Sequence, residues 1–186
     1  EEINRMLTDS VCDHFFTTSQ HASDNLKTIG IPPYKIHFVG NTMIDTLLQN
    51  IDKIKSPMDI GISTLKKASY LLLTLHRPSN VDDPVKLRSI LSVIISSRST
   101  LPVVFPVHPR TRKVLDQLKI NPNELILLEP QPYLEFIYLI KNAKGIITDS
   151  GGITEEATVL NIPCITMRNS TERPETVLEG TNELVG

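Results

Sequence analysis

Short apolar runs alternate along this chain with stretches whose apolar residues recur every three to four positions. The first pattern predicts strands and the second amphipathic helices. His14 to Thr18 reads as a strand, and Ser19 to Ile29 as a helix with Ser19 or Ser23 near its cap. Ile36 to Gly40 reads as a strand and Thr42 to Ile54 as an amphipathic helix, with a loop or short helix over residues 55 to 67. From there the alternation is cleaner. Strands are expected at Tyr70 to Leu75, Val103 to Val107, Leu125 to Leu128, Gly145 to Thr148 and Cys164 to Met167. Helices are expected at Asp82 to Ser97, capped by Asp82, and at Thr111 to Leu118, Leu134 to Asn142 and Ile153 to Leu160.

Strands that are apolar throughout, without in/out alternation, suggest burial on both faces, as in a parallel sheet. Alternation with helices implies right-handed βαβ units. Residues 68 to 186 therefore read as a doubly wound α/β domain with a parallel sheet. The domain division drawn from this is 1–50, the end of a preceding domain and its crossover, and 51–186, a domain truncated at both ends. The chain opens on Glu1-Glu2-Ile3-Asn4-Arg5 in what reads as mid-helix and stops at Gly186 in apparent mid-domain, so a fragment of a longer protein is expected. In such a sheet ligands collect at the carboxyl ends of the strands. Three polar turns fall there: Thr74 to Pro78, Pro106 to Arg110, and Thr148 to Gly152.

Composition narrows the function classes. The 186 residues are 40% hydrophobic, enough for a core, and the net charge is -2. With a pI near 6.2 there is no basic stripe for nucleic acid. The longest apolar runs are too short to cross a bilayer, and no signal peptide is read. Cys12 and Cys164 form no metal spacing and read as small core residues of a cytoplasmic protein.

The sharpest chemistry is the turn Asp149-Ser150-Gly151-Gly152 between a strand and a helix. Glycines let backbone approach a ligand, and the free N–H groups of a helix start favour an anion. Glu155 and Glu156, one turn on, suit ribose hydroxyls better than phosphate. The ordinary alternative, a tight turn with a capping serine and dipole-matched glutamates, stays open on the turn alone. The loop Arg168 to Glu175 lies beside this turn and offers Arg168 and Arg173 as phosphate or base contacts; a solvated charged loop is its alternative.

The stretch Asp149 to Ala157, followed by Met167-Arg168 and Thr171 to Glu175, resembles the non-hydrolysing UDP-N-acetylglucosamine 2-epimerases. Further matches run in order along the chain: Glu1 to Arg5, Gly40-Asn41-Thr42 with Ile44-Asp45, Thr74 to Arg77, Pro106 to Pro109, and Pro130 to Leu134 with Phe136. The resemblance implies a Rossmann-like domain, one half of a two-domain GT-B-type enzyme. It implies elimination of UDP from UDP-GlcNAc and its re-addition to give UDP-ManNAc, with no metal or redox cofactor. By the same resemblance Ser150, Gly151 and Gly152 hold the diphosphate, Glu156 the ribose, and Gln131 and Phe136 the uracil. Arg173 contacts nucleotide or phosphate, His76 sits at the scissile bond, and Glu1 is an active-site carboxylate. His108, with Arg77, is implied in a second, regulatory site for the substrate. A homodimer is implied for the full-length protein. Without the resemblance, His76 reads as a strand-end histidine and Phe136 as core, at helical spacing with Ile140.

Two departures qualify the match. His76-Arg77-Pro78-Ser79-Asn80 stands where many members have His-Arg-Arg-Glu or His-Arg-x-Glu-Asn. The family's amino-terminal domain, with its other catalytic carboxylates, is not in the chain, so the fragment is expected to be inactive alone. The competing readings are a GT-B glycosyltransferase donor domain, a hydrolysing epimerase and a non-catalytic nucleotide-binding module.

Overall fold

The computed structural model describes residues 2–57, 66–118 and 125–186. The chain divides into two compact units, residues 1–49 and 50–186. The first contains helix α1 (Glu2–Val11), strand β1 (Phe15–Thr17), helix α2 (Gln20–Thr28), strand β2 (Ile36–Phe38) and helix α3 (Thr42–Asn50). The two strands pair in parallel, Phe15 opposite Ile36. Helix α2 is the crossover between them. Ser19 caps it, its side chain accepting from the N–H of Ala22 at 3.2 Å. The expected helix from Thr42 to Ile54 stops at Asn50, and a single 3-10 turn, Ile51–Lys53, follows.

The second unit holds strand β3 (Leu71–Thr74), helices α4 (Pro78–Val81) and α5 (Pro84–Ser97), strand β4 (Val103–Pro106), helix α6 (Pro109–Leu118), strand β5 (Ile126–Leu128), helix α7 (Tyr133–Asn142), strand β6 (Gly145–Thr148), helix α8 (Gly151–Val159), strand β7 (Cys164–Thr166), helix α9 (Pro174–Leu178) and strand β8 (Asn182–Leu184). The sheet is wholly parallel, ordered β5-β4-β3-β6-β7-β8. It is the doubly wound α/β sheet expected from the apolar strands. Leu73, Val103 and Phe105 face a core closed by Leu87 and Leu91 of α5 and Leu115 of α6. Leu72 and Val104, one position out of phase, are also fully buried, as are Ile137 and Ile140 of α7. Burial on both faces is why these strands carry no polar alternation. Each such side chain contributes about 1.5–3 kcal/mol on leaving water.

Several boundaries differ from the sequence reading. Asp83, not Asp82, caps α5, accepting from the N–H of Val85 at 2.8 Å. The next residue, Pro84, takes the first helical position, where a missing N–H costs nothing. The same rule starts α6 at Pro109 and α9 at Pro174. Helix α8 begins at Gly151, two residues before the apolar periodicity starts. Helix α4, helix α9 and strand β8 have no counterpart in the sequence pattern. They are short, and periodicity needs more turns than they have. Among the described residues no helix is long and apolar enough to cross a membrane.

Candidate functional site

The chain leaves β3 for β4 on one side of the sheet and β6 for β7 on the other. Between β3 and β6 the winding reverses, and a crevice opens beyond their carboxyl ends. Thr74 and Thr148 are register partners at that edge, their hydroxyls 2.7 Å apart and buried. The Thr148 hydroxyl also accepts from the N–H of Ser150 at 3.0 Å, which fixes the start of the glycine turn.

Asp149 joins this turn to the one after β3. Its side chain is wholly buried. Its carboxylate accepts from the backbone N–H of His76 at 3.1 Å and of Arg77 at 2.9 Å, and from the Asn80 amide at 3.2 Å. His76 Nδ1 lies 2.9 Å away. Burial by itself raises the carboxyl pKa, but the bonds from His76, Arg77 and Asn80 outweigh it and hold Asp149 below the usual carboxylate range. In return Arg77 Nε donates to the Asp149 carbonyl at 3.0 Å, and Asn80 also reaches the Met167 carbonyl.

A cleft of about 200 Å³ opens at this edge, lined by His76, His108, Gln131, Phe136, Ser150 and Ile153 among others. The His76 and His108 rings are 6.3 Å apart. A larger groove, about 720 Å³, runs along α5 past Ile147, Ile165 and Val185. Its lining is mostly apolar, with Arg98 and Glu183 the charged residues on it, and it takes in none of the turns at the carboxyl ends of β3 and β6, so size does not identify the site. The small cleft has the chemistry.

Helix α8 points its amino terminus at this edge. Ser150 is its cap residue, yet its hydroxyl makes no capping bond. First-turn amides have no partner within the helix, so hydroxyl and amides together form an anion-binding end. A Cβ at Gly151 would stand 3.6 Å from Glu172 and 3.8 Å from Arg168. Glycine there keeps the helix start open toward a guanidinium. Arg168 is bound in fork geometry to Glu172, both contacts 2.7 Å. Those bonds hold the Glu172 carboxyl down at about 2. Arg173 Nε lies 2.8 Å from Glu155.

Glu156 is 4% exposed and does not line the cleft. Burial raises its pKa to about 7, Tyr133 opposes this by donating a hydrogen bond, and the charge of Glu155 adds to the rise. Tyr133 is in turn pushed up to about 12 by burial and by Glu156.

The structure thus gathers His76, His108, Gln131, Phe136 and Ser150 around one cleft, with Gly151 and Gly152 opening α8 beside it. Arg77 is anchored between Asp149 and Glu172, 3.8 Å from the latter. Arg173 and Glu156 lie on neighbouring elements, each already paired. Glu1 lies outside the described residues, as do residues 58–65 of the expected loop. Sequence reasoning missed Asp149 as an organiser, Asn80 and Tyr133. Asp149 and Tyr133 stand inside the family-like motifs and Asn80 beside one, but nothing in the order of residues shows that 80 meets 149. Among the described residues no group of three His, Cys, Asp or Glu side chains is placed to hold a metal.

A parallel sheet wound in this order, with a cleft carrying His76, His108, Gln131 and Ser150 at its reversal point, defines a Rossmann-like α/β domain of the GT-B type. A sequence model of UDP-N-acetylglucosamine 2-epimerases matches residues 1–186. The chain is 45% identical over its whole length to a UDP-N-acetylglucosamine 2-epimerase of Methanocaldococcus jannaschii, and spans 54% of that protein. It is 42% identical to a UDP-2,3-diacetamido-2,3-dideoxy-D-glucuronate 2-epimerase of Pseudomonas aeruginosa, spanning 52% of it. It superposes, with a TM-score of 0.85 and 41% identity, on the crystal structure of the M. jannaschii UDP-GlcNAc 2-epimerase in complex with UDP-GlcNAc and UDP, all of this chain covering 54% of that one. The chain belongs to the UDP-N-acetylglucosamine 2-epimerase family. It spans about half the length of the relatives it matches.

Proposed function

We propose that the whole protein interconverts UDP-GlcNAc and UDP-ManNAc and that this chain supplies the UDP-binding half. The observation that carries the reading is the convergence of the α8 amino terminus, His76, Gln131 and Phe136 at the edge of β3 and β6. In the first step a base removes the C2 proton, the C1–O bond breaks, and its electron pair leaves with UDP. In the second, UDP returns to C1 and a proton reaches C2 from the opposite face. Negative charge develops on the departing diphosphate. Dipoles already aimed at that oxygen need no rearrangement to stabilise it.

In this arrangement the amides of Gly151 and Gly152 and the Ser150 hydroxyl take the diphosphate, and His76 faces the bond that breaks. Phe136 offers its ring to uracil and Gln131 its amide to the base edge. Glu156 meets the ribose, its hydroxyls sharing the carboxyl with Tyr133. Arg173 leaves Glu155 for phosphate, a charge-assisted contact of the same kind. His108 and Arg77 are the candidates for a second nucleotide-sugar contact beside the first. Glu1 is assigned to the catalytic carboxylates. Residues 1–50 are the end of the amino-terminal domain, and the full-length protein is a cytoplasmic homodimer. Proton abstraction from carbon needs carboxylates of that domain, so the 186-residue chain binds UDP without turnover.

One observation favours a second sugar: the 42% identical relative acts, by its name, on a diacetamido-glucuronate nucleotide. Both substrates are therefore offered to the protein at the length of its relatives, in deuterated water. UDP-ManNAc carrying deuterium at C2 supports the proposal. Turnover of the uronate alone replaces the substrate, free sugar with UDP indicates hydrolysis, and absence of C2 exchange favours a GT-B donor domain or a binding module.

A further inference from the structure

Asp149 accepts more bonds than its turn requires. Two main-chain N–H groups and the Asn80 amide already satisfy its carboxylate, at 2.9 to 3.2 Å. Those three contacts hold the backbone after β3 against the backbone after β6. The contact with His76 Nδ1, at 2.9 Å, is of another kind. It reaches a side chain that lines the cleft. An ionised carboxylate only accepts, so in this pair the proton sits on Nδ1. The ring's other nitrogen, Nε2, is then the one that can meet a ligand. Exposure follows the same division: the Asp149 side chain is at 0% and that of His76 at 44%. One end of the pair is buried and fixed, the other open.

We propose that Asp149 is a positioning residue, which fixes the tautomer and ring orientation of His76 so that Nε2 meets the oxygen joining sugar and diphosphate. A buried carboxylate on Nδ1–H holds an imidazole in one tautomer wherever this geometry occurs. The proposal rests on the epimerase reading above. When the C1–O bond breaks, its electron pair goes to the diphosphate oxygen, and on re-addition that pair returns to C1. In the imidazolium form both ring nitrogens carry protons, so Nε2–H donates to that oxygen in both directions while the Nδ1 proton stays on the Asp149 side throughout. Asp149 itself touches no reacting atom. Its contribution is that the imidazole need not search for its orientation at each turnover.

Two measurements test this. In the 186-residue chain, long-range proton–nitrogen correlation spectra of His76 show which ring nitrogen keeps the proton when the ring is neutral. Protonated Nδ1 is expected; a neutral ring protonated on Nε2 overturns the proposal without any variant having to fold. In the protein at the length of its relatives, Asp149→Asn is expected to lower kcat about 10- to 100-fold while KM and UDP affinity stay near wild type. A double-mutant cycle with His76→Gln separates positioning from support of the turn. No further loss on adding Asp149→Asn to His76→Gln supports the proposal, and additive losses overturn it. If the wild-type protein shows no exchange at C2, the epimerase reading falls. A neutral ring that carries its proton on Nε2 in an active enzyme overturns the positioning role alone.

Discussion

The hydroxyls of Thr74 and Thr148 meet at 2.7 Å, across the two strands between which the winding of the sheet reverses. The pair ties together the last residues of β3 and β6, where both functional turns begin. Thr148 also accepts from the Ser150 N–H. Thr148→Val keeps the volume and removes both bonds, leaving a buried donor short of a partner. A loss of about 1–3 kcal/mol is expected in urea unfolding. UDP binding by the variant should weaken too, because the glycine turn loses its anchor. A stability unchanged by the substitution would contradict this role.

Glu156 sets a pH dependence on the fold. Its folded pKa, about 7, lies above the 4.5 of an unperturbed glutamate. The folded chain therefore holds a proton that the unfolded chain has released. Its contribution is fully present below about 4.5 and is lost as pH rises through about 7. Stability should fall across that window by a few kcal/mol, since each tenfold difference in acidity between the folded and unfolded carboxyl is worth roughly 1.4 kcal/mol. Glu156→Gln, a neutral isostere, should flatten this slope. Tyr133→Phe removes the bond that lowers the pKa, so it should move the upper end of the window to higher pH. Thermal melts from pH 4 to 9 compare the three proteins. A wild-type slope of opposite sign between 4.5 and 7 that Glu156→Gln leaves in place would exclude Glu156 as its source.

Two glycines should respond in opposite ways to alanine. At Gly151 the new Cβ meets neighbours no closer than 3.6 Å. The fold should tolerate Gly151→Ala, while the methyl stands at the open helix start. UDP affinity by calorimetry is expected to fall about tenfold, or 1.4 kcal/mol, with little change in Tm. At Gly180 the Cβ would lie 2.4 Å from the Thr176 carbonyl and 2.7 Å from the Thr158 hydroxyl. Gly180→Ala must displace backbone, and a loss of about 1–3 kcal/mol is expected. The reverse pattern would remove the case for Gly151 as a ligand contact.

Phe136 is partly exposed at the cleft, whereas Ile137 and Ile140 beside it on α7 are fully buried. Phe136→Ala should therefore spare stability relative to Ile140→Ala. Stacking of an aromatic on a base is worth about 1–3 kcal/mol by such truncation. UDP affinity should drop accordingly, and phosphate affinity should not. Equal loss of UDP and inorganic phosphate binding would place the ring elsewhere than against uracil.

The doubly wound sheet was legible because its signals are local. Leu71 to Thr74, Val103 to Pro106 and Gly145 to Thr148 form apolar runs bounded by turn residues, and burial on both faces is the usual cause of such runs. The glycine turn was legible for the same reason, since strand, serine, glycines and helix follow one another directly. The fork of Arg168 with Glu172 joins neighbours on one loop, yet nothing in their spacing says that an arginine will be paired. The choice of Asp83 over Asp82 as the cap depends on one backbone geometry, in which the side chain meets the N–H of Val85.

Order along the chain determined the strands, the helices and the residue types at each turn, because hydrophobic period and turn chemistry act over a few neighbouring positions. Which turns meet was decided only when the sheet was wound. Asp149 and His76 are 73 positions apart, and they touch because β3 and β6 lie side by side at the reversal point. That adjacency follows from packing many helices and strands at once, so no local stretch of residues contains it.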